Sequence, residues 1–298
     1  MKLTTVFSAV NGNIRYYRFI PKQITFWAYF GIRFIAVFIG KKLPKELVPY
    51  SENIIIWSLN LDLNSAFVAQ NMRIYYPALL ELPDDELVMI TDMDMLPAND
   101  NYYKNGLEKY NIDDFIYYRS IEGNQIYMCY NAAHPKTWAK VFGIYTIKDI
   151  ESSINKTYTQ DYSGVPGKKG WFIDQLTLYS KLIKYERLVV LQRPIKRLEV
   201  RIYHTHLANK DEHFINKYDD IHFHRNYNSN LRLILNAQKQ IGQYRSERAI
   251  HEKCATNDCQ FIVHSKFAIG RSIYCCRCCM KKPNRHGYFC ERILNKIT

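Results

Sequence analysis

Two carboxylates, Asp92 and Asp94, directly follow the apolar run Leu87-Val88-Met89-Ile90-Thr91. Residues two apart on an extended chain face the same way, so the pair is expected to converge on one cation. The carboxyl end of a strand is also where open α/β sheets bind ligands. Hard divalent ions such as Mg²⁺ or Mn²⁺ take one or two carboxylates and complete their shell with substrate phosphates. The bland alternative is a solvated loop or helix cap. The apolar Met95-Leu96-Pro97 that follows argues against an ordinary surface turn. Far along the chain, Cys276-x2-Cys279-x6-His286-x3-Cys290 has the ligand types and spacing of a tetrahedral zinc site. Cys275 and Cys278 offer the same Cys-x2-Cys pair in a second frame, and Cys254, Cys259 and His264 are further candidate ligands.

The 298 residues are 47% hydrophobic and 23% charged. These globular proportions exclude wholesale disorder and collagen-like or low-complexity classes. The length allows one large domain, or one with an appendage. Lys and Arg number 41 against 28 Asp and Glu, a net +13, and residues 244–298 alone carry 11 basic and 4 acidic side chains. Such a segment suits phosphates, nucleic acid or an anionic membrane surface, or serves only solubility. Seven of the eight cysteines also fall there, and no secretory signal peptide opens the chain. A reducing, cytoplasmic setting is expected, in which clustered cysteines bind metal rather than form disulfides. Ile24–Ile39 is mostly apolar but only 16 residues long, with Arg33 inside it. That is short of the ~20 residues a membrane span needs, so it reads as a buried helix followed by a strand.

The elements that must position the acidic pair are legible as a pattern. Thr4–Val10, Phe34–Ile39, Asn53–Ser58 and Leu87–Thr91 are short apolar runs of strand length. Between them, Arg15–Phe30 is helical on both sides of Pro21, and Ser65–Leu80 has apolar residues near a helical period. The alternation predicts an α/β fold with a mostly parallel sheet covered on both faces. Further on, Gly123–Tyr130 reads as a strand, Pro135–Phe142 and Phe172–Ile183 as helices, Ser152–Gly170 as a mobile loop and Leu188–Leu191 as a strand. Residues 231–250 look like a helical connector. The domain boundary is placed near 243.

The order of four short motifs resembles a known family. Gln70–Leu80 followed by Glu86–Thr91 and Asp92-Met93-Asp94 resembles the nucleotide-sugar glycosyltransferases of the GT-A fold, most of all the glycogenin-like group. Met128-Cys129-Tyr130-Asn131-Ala132-Ala133 is similar to that family's acceptor-side Asn-Ala-Gly strand, and Trp171-Phe172-Ile173-Asp174-Gln175 to its Asp-Gln helix start. His222-Phe223-His224 sits where such enzymes place a third metal ligand. The resemblance implies a Rossmann-like domain over residues 1–243 that binds a nucleoside-diphosphate sugar with Mn²⁺ or Mg²⁺. In that frame Asp94 ligates the metal, Asp92 contacts the metal or the ribose, and His222 or His224 completes the coordination. Arg73 steadies the diphosphate or pairs with Asp92. Asp174 works on the acceptor or caps its helix, Asn131 binds sugar hydroxyls, and Ser8, Ala9 and Asn11 hold the base and ribose. The Ser163–Gly170 loop, with Lys168 and Lys169, closes over the diphosphate or is simply solvated.

The last residues resemble small zinc knuckles of the CCHC type, so 244–298 is read as a basic zinc-binding appendage. The expected activity is metal-dependent transfer of a sugar to a glycan, protein or small-molecule acceptor. Two rivals stand beside it. One is a nucleic-acid-binding zinc-knuckle protein on a degenerate transferase-like scaffold. The other is a metal-dependent nucleotidyltransferase, since paired aspartates after a strand also serve phosphoryl chemistry.

Overall fold

A strand buried on both faces reads as a near-continuous apolar run. β1 (Lys2–Asn11) is such a strand, buried from Leu3 to Val10. It pairs in parallel with β2 (Arg33–Ile39) on one side and with β4 (Glu86–Ile90) on the other. At the edge, β3 (Ile54–Trp57) pairs in parallel with β2. Beyond β4 come β7 (Asn131–Ala133), β6 (Phe115–Tyr117) and β8 (Leu188–Val190). The computed structural model describes residues 1–58, 63–158, 162–165, 167–200, 215–223 and 227–249. Among these residues the main sheet has the order β3-β2-β1-β4-β7-β6-β8. β7 runs antiparallel to both its neighbours, and β6 and β8 are parallel.

Side chains of successive strand residues feed two cores, one on each face. Val6, Val10, Leu87 and Met89 point into one, and Phe7, Ala9, Val88 and Ile90 into the other. The first face is covered by α1 (Ile14–Tyr17), α2 (Ile20–Tyr29), α4 (Asp100–Lys104) and α8 (Tyr227–Ala249). Pro21 occupies the first turn of α2, where its missing N–H has no helical partner to lose. α8 packs on α2, burying Ile234, Ala237 and Ile241, and runs through position 243. The second face is covered by α3 (Ser65–Tyr75), α5 (Pro135–Phe142), α6 (Ile147–Thr157) and α7 (Ile173–Leu182). α5 stops at Gly143, whose φ of 69° is the left-handed cap that glycine adopts without strain. The fold is thus α/β, a mostly parallel sheet flanked by helices.

A small second sheet, order β5-β10-β9, joins β5 (Met95–Pro97), β10 (Asp220–His222) and β9 (Arg197–Glu199). Its register sets Met95 opposite His222 and His222 opposite Glu199. Two expectations change. Gly123–Tyr130 is not a strand, and the ladder forms only at β7. The Asn131 amide donates to the carbonyls of Tyr127 and Met128 at 2.7 and 3.0 Å, taking acceptors a ladder would use. Residues 152–157, read as loop, complete α6. A capping box between Thr146 and Asp149 starts that helix, and only Ile150 and Ile154 are buried, a stripe too narrow to stand out. No helix among the described residues is long and apolar enough to cross a membrane. His224 and the zinc set Cys276, Cys279, His286 and Cys290 lie outside the described residues.

Candidate active site

A cavity of about 330 Å³ opens at the carboxyl ends of β1 and β4. The end of β1 supplies Ala9 and Asn11, the N-cap and first turn of α1 supply Asn13, Arg15 and Tyr16, α3 supplies Gln70 and Arg73, and the start of α7 supplies Asp174 and Gln175. Asp92, Asp94, Met128, Tyr162, Trp171 and His222 complete most of the wall.

The acidic pair does not continue the strand. β4 ends at Ile90, and residues 92–95 form a turn in which the Met95 N–H donates to the Asp92 carbonyl at 3.3 Å. Leaving the ladder cancels the alternation that was to aim both carboxylates alike, and they diverge. Asp92 takes the Arg73 guanidinium (Nη1 to Oδ1). Asp94 turns to His222, with Oδ2 3.8 Å from Nε2. Of the two roles open to Arg73, the ion pair with Asp92 is the one present, and a second follows: Nη2 donates to Asp174 Oδ2 at 2.8 Å. One guanidinium therefore bridges two carboxylates from distant segments. Burial raises the Asp174 carboxyl to about 6. Arg73 opposes that shift, the Asp92 charge adds to it, and the Gln175 backbone N–H, donating to Oδ1 at 2.8 Å, opposes it. Arg73 itself is held charged against its burial by the same two aspartates.

The small sheet builds the other half. β5 begins at Met95 and pairs with β10, and the Phe223 N–H donates to the Asp94 carbonyl at 3.0 Å. This brings His222 to Asp94. On its far side His222 Nδ1 lies 3.0 Å from Glu199 Oε2. Burial would lower the imidazole, yet Asp94 and Glu199 raise it on balance. A histidine whose second ring nitrogen is fixed by a carboxylate is the usual arrangement of a metal-ligating imidazole. A cation about 2.1 Å from each donor spans the 3.8 Å between Nε2 and Oδ2. The oxygen and nitrogen donors of Asp94 and His222 therefore fit Mn²⁺ or Mg²⁺. Among the described residues no three His, Cys, Asp or Glu side chains form a ligand group, consistent with Asp92 being committed to Arg73.

The remaining expected residues divide. Ala9 and Asn11 line the cavity, but the Asn11 amide shapes its own loop, donating to Ser65 Oγ at 3.0 Å and accepting from the Asn13 N–H at 3.1 Å. Ser8 is corrected: it is fully buried, and its Oγ donates to the Thr91 carbonyl at 2.9 Å, tying β1 to the end of β4. Asn131 is also corrected. It is fully buried away from the cavity wall, and its amide N–H groups go to the backbone of the preceding loop. Of the expected closing loop, Gly164 lines the cavity and Lys168 and Lys169 do not. The loop is held to α3 instead by Gln70, which accepts from Tyr162 Oη at 2.8 Å and donates to the Trp171 carbonyl at 3.3 Å.

Glu199 and Gln175 were missed. Glu199 gives no signal in the sequence, because it meets His222 only through the β9–β10 register. Gln175 stands inside the quoted Asp-Gln motif, and among the described residues its buried Oε1 has no hydrogen-bond partner although the residue lines the cavity.

No protein-family model and no curated protein sequence matches the chain. Solved structures of similar arrangement include a glycosyltransferase involved in glycosylation of the major capsid of PBCV-1, at 11% identity and TM-score 0.43, covering 82% of this chain and 100% of that one. Another is the glycosyltransferase GlyE of Streptococcus pneumoniae, at 13% identity and TM-score 0.46, covering 83% and 64%. A third is the galactosyltransferase LgtC in complex with donor and acceptor sugar analogues, at 11% identity and TM-score 0.41, covering 80% and 96%.

Proposed function

We propose that the protein is a metal-dependent glycosyltransferase of the GT-A type, moving a sugar from a nucleoside diphosphate to an acceptor hydroxyl. The carrying observation is the Glu199–His222–Asp94 line facing the same cavity as the Asp92–Arg73–Asp174 bridge. The cavity wall carries three aspartates against two arginines, Arg15 at its exposed rim and Arg73, which is already shared between two of the aspartates. A diphosphate entering such a wall meets net repulsion unless a divalent cation comes with it. Bound between Asp94 and His222, Mn²⁺ or Mg²⁺ would neutralise the charge developing on the departing nucleoside diphosphate.

The chain's own groups do the rest. Glu199 holds the His222 tautomer with Nε2 toward the cavity. Arg73 fixes Asp92 and Asp174 relative to each other, so the donor-side turn and the acceptor-side helix keep one geometry. With its carboxyl at about 6, Asp174 is mainly ionised at neutral pH. It can then accept a hydrogen bond or proton from the acceptor hydroxyl. Gln175 Oε1, buried without a partner among the described residues, accepts from a sugar hydroxyl. Asn13, Arg15 and Tyr16 border the space left for the nucleotide. Residues 244–298 are proposed as a separate basic zinc-binding appendage, reached through α8.

The test is a screen of nucleotide sugars with Mn²⁺, reading release of the nucleoside diphosphate. One donor should be turned over, with loss on chelation and in Asp94→Ala. Release of pyrophosphate would replace the reading with nucleotidyl transfer. Turnover indifferent to both chelator and Asp94→Ala would remove the cation from the mechanism.

A further inference from the structure

Three backbone carbonyls at the turn, those of Asp92, Met93 and Met95, are gathered in the interior, where a buried carbonyl needs a donor, and the turn's own Met95 N–H reaches only that of Asp92. One side chain meets all three. Gln23 on α2 is fully buried, and its Nε2 donates to the carbonyls of Asp92, Met93 and Met95 at 3.1, 2.9 and 2.7 Å. Two N–H bonds serve three acceptors, so the carbonyls must converge on a single point. Gln23 is itself aimed. Its Oε1 accepts from Trp27 Nε1 at 2.8 Å, one helical turn further on. That bond selects the amide orientation with the NH₂ toward the turn. A flipped amide would set its oxygen against three carbonyl oxygens.

The peptide planes gathered by Gln23 are those from which the Asp92 and Asp94 side chains leave, and Met95 opens the strand that pairs with His222. We propose that Gln23 is a positioning residue, which sets the carboxylate-bearing turn so that Asp94 and His222 grip one cation while Asp92 keeps Arg73. This rests on the sugar-transfer reading for the identity of the ligand, not for the hold on the turn. Gln23 touches neither substrate nor metal and acts through backbone geometry alone.

Two readouts on the full chain test it. Amide hydrogen exchange followed by mass spectrometry reports the hold on residues 91–95, and titration with Mn²⁺ alone, followed by the paramagnetic signal of the free ion, reports the grip. Gln23→Leu removes both donors at similar size. Exchange in the turn should then accelerate about tenfold while β1 and α3 keep their protection, and Mn²⁺ affinity should fall on the order of tenfold, the usual scale for an outer-shell loss. Trp27→Phe frees the amide to turn over and should shift both readouts the same way by less. It also serves as the probe should Gln23→Leu not fold. Unchanged turn exchange or unchanged Mn²⁺ affinity in a folded variant overturns the inference, as does faster exchange spread evenly over β1 and α3. A wild-type chain without Asp94-dependent Mn²⁺ binding overturns the sugar-transfer reading and the cation clause together. The exchange data then still decide the hold on the turn.

Discussion

Among the described residues, two buried arginine–aspartate clusters differ in one respect. Between β9 and β10, Arg197 clamps Asp220 through Nε at 2.8 Å and Nη2 at 2.6 Å, and Tyr130 Oη donates to the same carboxylate at 2.7 Å. Asp220 is wholly buried, and Tyr103 extends the network to the carbonyl of Asp219. One cation meets one anion, and further hydrogen bonds are satisfied. At the cavity, Arg73 meets two carboxylates, so a negative charge is left over, and Asp174 is pushed up to about 6 by its burial first and by the Asp92 charge in addition. The first cluster is closed and acts as a strut between strands. The second carries an unbalanced negative charge beside a cavity, the feature on which the proposed active site rests.

Breaking the closed cluster should show the largest effect, and chiefly on stability. Asp220→Ala strands a buried guanidinium, for which a loss of about 3–5 kcal/mol is expected. Denaturant unfolding would measure it, and a loss below about 1 kcal/mol would mean that the strut is not needed. Breaking the open cluster should do the reverse. Arg73→Met is expected to lower turnover about a hundredfold, the scale of losing one preorganised electrostatic group. Its unfolding midpoint should fall less than that of Asp220→Ala, because Asp92 keeps partial contact with water and the buried Asp174 can take up a proton, a release that a stranded guanidinium does not have. Equal stability losses in the two variants would erase the distinction.

A finer probe is Glu199→Gln. It keeps the shape beside His222 but removes the charge, and should weaken Mn²⁺ binding about 10–100-fold. Affinity unchanged in a calorimetric titration would separate His222 from the cation.

The smallest effect is one of pH. Asp174 has its carboxyl raised to about 6 in the folded chain against an ordinary 3.8. Ionisation is therefore penalised by folding. That cost is fully present above pH 6, is relieved as pH falls through 6, and is gone below the unfolded value. Asp174→Asn should accordingly raise the melting temperature at pH 7.5 relative to wild type, with the gain shrinking toward pH 4. Turnover should fall as pH drops through about 6, where the ionised form disappears. A melting difference constant across this range would show that Asp174 does not carry the unbalanced charge.

The legible parts of the molecule are those in which neighbours in sequence decide. The strand runs of β1 to β4 and the helices α3, α5 and α7 follow from apolar periodicity. Asp92 and Asp94 stand out by their place after a strand, and Arg73 and Asp174 by the resemblance of the segments around them to a known family. Ser8 and Asn131 were misread because the side chains of such residues are as ready to satisfy nearby backbone as to bind a ligand, and burial chose the former. The failure at 92–95 has the same root, since alternation holds only while the ladder continues.

What the sequence by itself determined is local: which runs are strands or helices, that the fold is α/β, and which short segments carry carboxylates at a strand end. Tertiary structure decided which of these groups meet. Arg73 reaches Asp174 across 101 positions, Gln23 reaches the turn across about 70, and His222 finds Glu199 only through strand register. A periodicity records how one element faces its core, but it holds no record of which distant element packs against it. The partners of a buried charge are set when the elements dock and desolvation makes an unpaired charge costly.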